Sequence, residues 1–202
     1  MEVTSIKSCN ENRYGNTKHL ELNCQRGITL LELLTLMAIL TITLGISIPG
    51  VSAMIQTNRM ATAINSLSAS FALARSVAIT RNQEIIICKS QDGLWCTDKG
   101  GWEQGWLIYE DINGNEIRDK GEQRLRIQQD LPPGISISFS AFRSDHYAHY
   151  WPSGITNMNG TFIFCQKNRP DLTKAIILNK TGRLRKSNTL HDGSPLQCGE
   201  NS

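Results

Sequence analysis

Residues 28–48 read ITLLELLTLMAILTITLGISI, and Glu32 is the only charged side chain among them; the next is Arg59. A helix rises about 1.5 Å per residue, so a run of this length matches the ~30 Å hydrocarbon core of a bilayer. The apolar character continues around the whole helix, as lipid demands and as an amphipathic surface helix does not show. The same run can also be read as a secretory signal, with Pro49-Gly50-Val51-Ser52-Ala53 as the cleavage region. A lipoprotein signal is excluded because no apolar run precedes Cys24.

The flanks orient the segment. Residues 1–27 are polar and carry Lys7, Arg13, Lys18 and Arg26 against Glu2, Glu11 and Glu21. Arg26 abuts the apolar run, which predicts a cytoplasmic amino-terminal side and the bulk of the chain outside. A carboxylate at Glu32 is costly in lipid and needs a partner. A free amino group on Ile28, made by cutting after Gly27, would supply the opposite charge.

Arg26-Gly27 followed by Ile28-Thr29-Leu30-Leu31-Glu32-Leu33 resembles the type III signal of type IV pilins and pseudopilins. The resemblance implies a leader over 1–27, cut after Gly27 by prepilin peptidase, and methylation of the new amino terminus at Ile28. It makes Glu32 the assembly residue, seeking an amino-terminal partner in the adjoining subunit. It also makes Pro49 the helix-breaking proline that such proteins commonly carry. Ile28 departs from the usual Phe, and the leader is rather long.

From Val51 the pattern becomes one-sided. Met60, Ile64, Leu67, Phe71, Ala74 and Ala78 recur at steps of three and four, with Arg59, Asn65, Ser68, Arg75 and Arg81 between them. The helix is therefore expected to continue as an amphipathic stretch to about residue 81, its stripe packed on a head. Proline at 49 removes one backbone bond and permits a kink without ending the helix. Beyond residue 82, short β-branched or aromatic runs at 84–89, 106–110, 124–128, 135–139, 161–165 and 175–178 are punctuated by Gly, Pro and Asn-Gly turns. The expected fold is α+β: a long amino-terminal helix, transmembrane over 28–50 and amphipathic over 51–82, packed on an antiparallel head over 83–202 of five to seven strands.

The run Gly105-Trp106-Leu107-Ile108-Tyr109-Glu110-Asp111-Ile112-Asn113-Gly114-Asn115, then Arg118-Asp119 and Gly121-Glu122, looks like the GspH/FimT branch of minor pilins and pseudopilins. That implies a single-pass protein of the bacterial inner membrane with a periplasmic head, filament-associated after assembly. The partners implied are other pilins or pseudopilins, the inner-membrane assembly platform, prepilin peptidase and the membrane. No cofactor is implied.

Cys9 and Cys24 lie in the leader and are expected to stay reduced there. Cys88, Cys96, Cys165 and Cys198 remain, an even number suited to an oxidising compartment. Of the three possible connectivities, Cys88–Cys96 would close a small loop and Cys165–Cys198 would tether the carboxyl-terminal tail. Zinc is disfavoured by the absence of a C-x-x-C pair. His146 and His149 read as surface imidazoles in an aromatic-rich loop. No phosphate loop, nucleophile elbow or zinc-protease motif occurs, so a free-standing enzyme is not expected.

Two charged segments stand out. Asp111, Asn113, Asn115, Asp119 and Glu122 occupy positions 1, 3, 5, 9 and 12 of an EF-hand-like loop, but position six is Glu116 in place of Gly. The segment reads as an acidic hairpin turn, with calcium as the alternative. Residues 167–186 carry Lys167, Arg169, Lys174, Lys180, Arg183, Arg185 and Lys186 against Asp171 alone. Gly182-Arg183-Leu184-Arg185 resembles the GRxR motif of FimT-like pilins, which implies capture of double-stranded DNA in natural transformation by Gly182, Arg183, Arg185, Lys180 and Lys186. In an extended segment the two arginines point the same way while Leu184 faces the sheet. A solvated basic edge that prevents sheet aggregation is the competing reading, and with it a purely structural secretion pseudopilin.

Overall fold

The structure, a computed structural model, describes residues 7–10, 23–26, 28–129, 131–156, 158–167, 169–190 and 192–198, with the side chains of 7–10, 23–26 and 46–50 outside that set. Two compact units divide it, residues 1–53 and 54–202. In the first, β1 (Lys7–Asn10) pairs antiparallel with β2 (Asn23–Arg26). Gly27, the expected cleavage residue, lies outside the described residues. The helix α1 (Leu30–Arg81) then begins, and its backbone stays helical through Pro49. The amide of Glu32 donates to the Thr29 hydroxyl at 3.2 Å, so Thr29 caps the helix and Glu32 stands third inside it. Large apolar side chains from Ile28 to Leu44 are exposed, Leu30 at 75% and Ile42 at 64%. Among the described residues no helix is long and apolar enough to cross a membrane; the end of the expected span falls in 46–50.

The second unit is the head. Among the described residues of the head, eight strands form two four-stranded antiparallel sheets, where the sequence led us to expect five to seven strands. The first has the order β5 (Arg124–Gln128), β4 (Trp106–Asp111), β3 (Glu84–Lys89), β7 (Tyr147–Tyr150). The second has the order β10 (Leu184–Ser187), β9 (Lys174–Leu178), β8 (Gly160–Gln166), β6 (Ile135–Ala141). β7 and β10 are the strands the sequence pattern missed. β7 carries His149 at a buried position, and two of the four residues of β10 are charged.

One core joins helix and sheets. Met60, Ala63, Ile64, Leu67, Phe71, Ala74 and Ala78 of α1 are buried against Ile85, Ile87, Trp106, Ile108, Ile137, Phe162, Phe164 and Ile176. Trp102, on a single 3-10 turn, meets Phe162 edge-on at 5.1 Å and donates its indole N–H to the Asp145 carbonyl at 2.9 Å. That bond satisfies the one polar atom of a fully buried indole. The first sheet is covered on its other face too, where Ile86, Cys88, Leu107 and Tyr109 form a second cluster with Cys96 and Tyr147 against it. Burial on both faces explains why Ile85-Ile86-Ile87 is continuous instead of alternating.

Candidate functional site

The acidic loop, residues 112–123, folds back over the covered face of the first sheet. Asp111 Oδ1 accepts the amides of Gly114 (2.8 Å) and Asn115 (3.2 Å), and its Oδ2 accepts that of Glu116 at 2.9 Å. Glu122 accepts the amides of Ile112 (2.9 Å) and Asp119 (2.8 Å), while Asn113 and Asn115 both donate side-chain amides to Asp119 Oδ2. The five residues considered for calcium therefore hold the loop through hydrogen bonds, the arrangement of an Asx-rich turn between antiparallel strands. Glu116 occupies the left-handed region, φ 60°. From there its carboxylate accepts from the Tyr147 hydroxyl at 2.6 Å and pairs with Arg143 at 3.1 Å. His149 is 4% exposed, not a surface loop residue as expected from sequence. Its Nε2 lies 3.1 Å from Glu84 and its Nδ1 3.6 Å from Glu116, at ion-pair range without hydrogen-bond geometry. His146, at 37% side-chain exposure, does face solvent and pairs with Asp145.

The disulfides join Cys88 to Cys96 and Cys165 to Cys198. The first ties the loop carrying Trp95 to β3. Asp92 shapes that loop by accepting the Leu94 and Trp95 amides at 2.7 and 3.0 Å, and these two bonds hold its carboxyl below the usual carboxylate range. Arg118 stacks 5.2 Å over Trp95. The second disulfide anchors the carboxyl-terminal tail to β8, on the face of the second sheet that points away from α1.

The basic segment forms the β9–β10 hairpin. Its turn is organised by Asn179, whose amide donates to the Arg183 carbonyl at 3.1 Å and whose Oδ1 accepts the Arg183 amide (3.0 Å) and the Thr181 hydroxyl (2.7 Å). Gly182 closes the turn in the left-handed region at φ 75°, as glycine does in three-residue hairpin loops. It is buried. Its carbonyl accepts the Tyr150 hydroxyl at 3.0 Å, and a Cβ there would stand 2.4 Å from the Gly154 carbonyl oxygen. That carbonyl in turn accepts Arg75 Nε at 2.9 Å. Burial pushes the Tyr150 hydroxyl well above the ordinary tyrosine range and keeps it the proton donor of this bond. Gly182, expected among the DNA-contacting residues, thus has a conformational task.

After the turn, Leu184, Arg185 and Lys186 pair with Leu178, Ile177 and Ile176. Leu184 packs half-buried on the core, whereas Arg183 and Arg185 are exposed. Alternation therefore sends the two arginines to the outer face. It turns Lys186 toward α1, where its Nζ donates to Asn65 Oδ1 at 2.9 Å. Lys180 sits exposed in the turn. The structure thus leaves Lys180, Arg183, Arg185 and Lys186 all exposed on this hairpin, with the Lys186 side chain reaching toward α1. Tyr150, Gly154 and Arg75, which fix this hairpin, carried no signal of their own in the sequence.

Comparison with known proteins places the chain. The family model described as type II transport protein GspH matches residues 63–182. The pilin-like protein PilA1 of Thermus thermophilus is 36% identical over 101 residues, 49% of this chain and 56% of that protein. The chain thus spans about half the length of this curated relative. Among solved structures, the type IV minor pilin FimU of Pseudomonas aeruginosa superposes with a TM-score of 0.51 at 19% identity, over 64% of this chain and 89% of FimU. The minor pseudopilin EpsH of the Vibrio cholerae type 2 secretion system gives a TM-score of 0.47 at 15% identity, over 64% of this chain and 96% of EpsH.

Proposed function

This chain belongs to the GspH family, structural and non-enzymatic minor pilins and pseudopilins, and on that premise we propose that it is a bitopic subunit whose head also captures DNA. Membership carries membrane and filament association and contact with other pilins. The finer reading puts residues 28–50 in the inner membrane, with 1–27 removed after Gly27 and Ile28 methylated. Exposure of the apolar side chains along 28–45 supports a lipid or filament environment, because water disfavours so large an apolar surface. Glu32 then meets the amino terminus of a neighbouring subunit during assembly.

The observation that carries the DNA reading is the exposed pair Arg183, the last residue before β10, and Arg185 within it, beside the buried turn at Gly182. In an extended segment residues two apart point the same way, which lets two guanidinium groups meet neighbouring phosphates. Guanidinium groups suit phosphates, and the described residues of the head form no recognition helix, so binding is expected to be independent of sequence. The test is a titration of the purified chain with duplex DNA across a salt series. The log–log slope should be about −0.9 per phosphate contacted, and Arg183→Gln with Arg185→Gln should flatten it by about two units. Arg118→Gln should leave it unchanged. No salt-dependent binding at low ionic strength would sink the DNA reading. The second reading, a purely structural pseudopilin, is favoured by the position of β10 at the edge of its sheet, where charge by itself blocks edge-to-edge pairing.

A further inference from the structure

A groove runs between the helical wall Thr57–Asn65 and the β9–β10 edge, enclosing about 680 Å³. That volume falls in the range of pockets that bury a small ligand. Its floor is apolar, with Met60, Ile64 and Leu172, and its rim holds Lys174, Arg185 and Lys186. Among the described residues no carboxylate lines it. Neutral amides hold the two ammonium groups: Lys174 Nζ donates to Asn188 Oδ1 at 3.0 Å and Lys186 Nζ to Asn65 Oδ1 at 2.9 Å. Among the described residues none of the three cations forms an ion pair.

This combination selects a ligand by chemistry. Three uncompensated cations disfavour a basic or neutral apolar ligand, and an apolar floor gains nothing from a bare phosphate. Duplex DNA presents phosphates on a broad rod and offers no alkyl group to the floor. An anionic amphiphile satisfies both parts. We propose that the groove binds an anionic phospholipid, its phosphate against Lys174, Arg185 and Lys186 and its first methylenes on Met60, Ile64 and Leu172. The membrane is the source, since Thr57 follows Gly50, the end of the expected span, by seven residues; this rests on the membrane reading of 28–50. Basic residues beside a membrane favour anionic lipid by about fivefold each, so the two lysines together contribute about 25-fold.

The experiment uses the full chain in phosphatidylcholine nanodiscs, titrated with dihexanoyl-phosphatidylglycerol below its micelle-forming concentration. Hydrogen exchange of residues 57–65 and 184–189 is the readout. Phosphatidylglycerol should protect both segments, and dihexanoyl-phosphatidylcholine and glycerol 3-phosphate should do so at least about tenfold more weakly. Lys174→Gln with Lys186→Gln should raise the half-saturating concentration about 25-fold. Ala61→Trp, at an exposed helix position on the groove wall, should abolish protection by filling the groove. Equal protection by phosphatidylcholine, or no protection at all, would overturn the proposal. A chain that does not enter nanodiscs would refute the membrane reading alone, and the same titration in a neutral detergent would still decide the groove.

Discussion

Replacing Gly182 by alanine separates the conformational role of this residue from a role in ligand contact. Gly182 has φ 75°, and an added Cβ would stand 2.4 Å from the Gly154 oxygen and 2.7 Å from Tyr150 Cε1. The left-handed backbone costs about 1–2 kcal/mol for alanine. Backbone cannot yield as a flexible side chain does, so the Gly154 carbonyl must move off Arg75, a charge-assisted bond worth about 1.5–3 kcal/mol. Together these amount to about 3 kcal/mol or more. At about 2–4 °C per kcal/mol for a unit of this size, the head should melt about 6–12 °C lower. The matched control is Gly193→Ala, also left-handed at φ 86° but with nothing within 4 Å of the added Cβ; it should lose only the backbone part. Circular dichroism melts of the full-length variants in detergent measure both. Equal losses in the two variants would refute the packing argument, and an unchanged Gly182→Ala melt would refute the conformational role outright.

The disulfides should differ in worth, because Cys165–Cys198 spans 33 residues and Cys88–Cys96 only eight; loop entropy assigns about 3.8 and about 2.6 kcal/mol. Denaturant midpoints of Cys198→Ala and Cys96→Ala check this, and a larger loss from the shorter loop would contradict it. Asp92, with its carboxyl held low by the Leu94 and Trp95 amides, contributes stability that is complete above the ordinary carboxylate range and is lost as pH falls through the depressed value. Melting points of wild type and Asp92→Asn should therefore converge as pH falls below the ordinary carboxylate range, and a constant gap would argue against it. Glu32→Ala should preserve membrane insertion and lower incorporation into sheared filaments; wild-type incorporation would remove its assembly role. Gly27→Ala should leave the precursor uncut, whereas mass spectrometry of the native protein should find a methylated chain starting at Ile28, and a start near Ala53 would restore the secretory-signal reading.

Local chemistry was enough for much of this molecule. The stripe from Met60 to Ala78 is buried as its spacing requires, because only one face of a helix can meet a sheet. β3 and β5 begin and end at the residues where the β-branched runs do. Cysteine spacing suggested the pairings that the structure shows. The motifs around Gly105-Trp106 and Arg26-Gly27 suggested the family before the fold was seen.

What tertiary structure alone decided is the identity of strands and side chains that depend on distant partners. β7 and β10 are four residues each, too short to stand out as strands by pattern, and they pair with the edges that β3 and β9 offer. His149 is buried because the acidic loop folds back and places Glu116, in a left-handed conformation, over β7. Gly182 looked like part of a ligand motif until Tyr150 and Gly154 were seen to press on it from 32 and 28 residues away. Periodicity reports which face of a segment is apolar. It carries no record of which segment arrives to cover that face, because this is set by the sum of weak contacts between elements far apart in the chain.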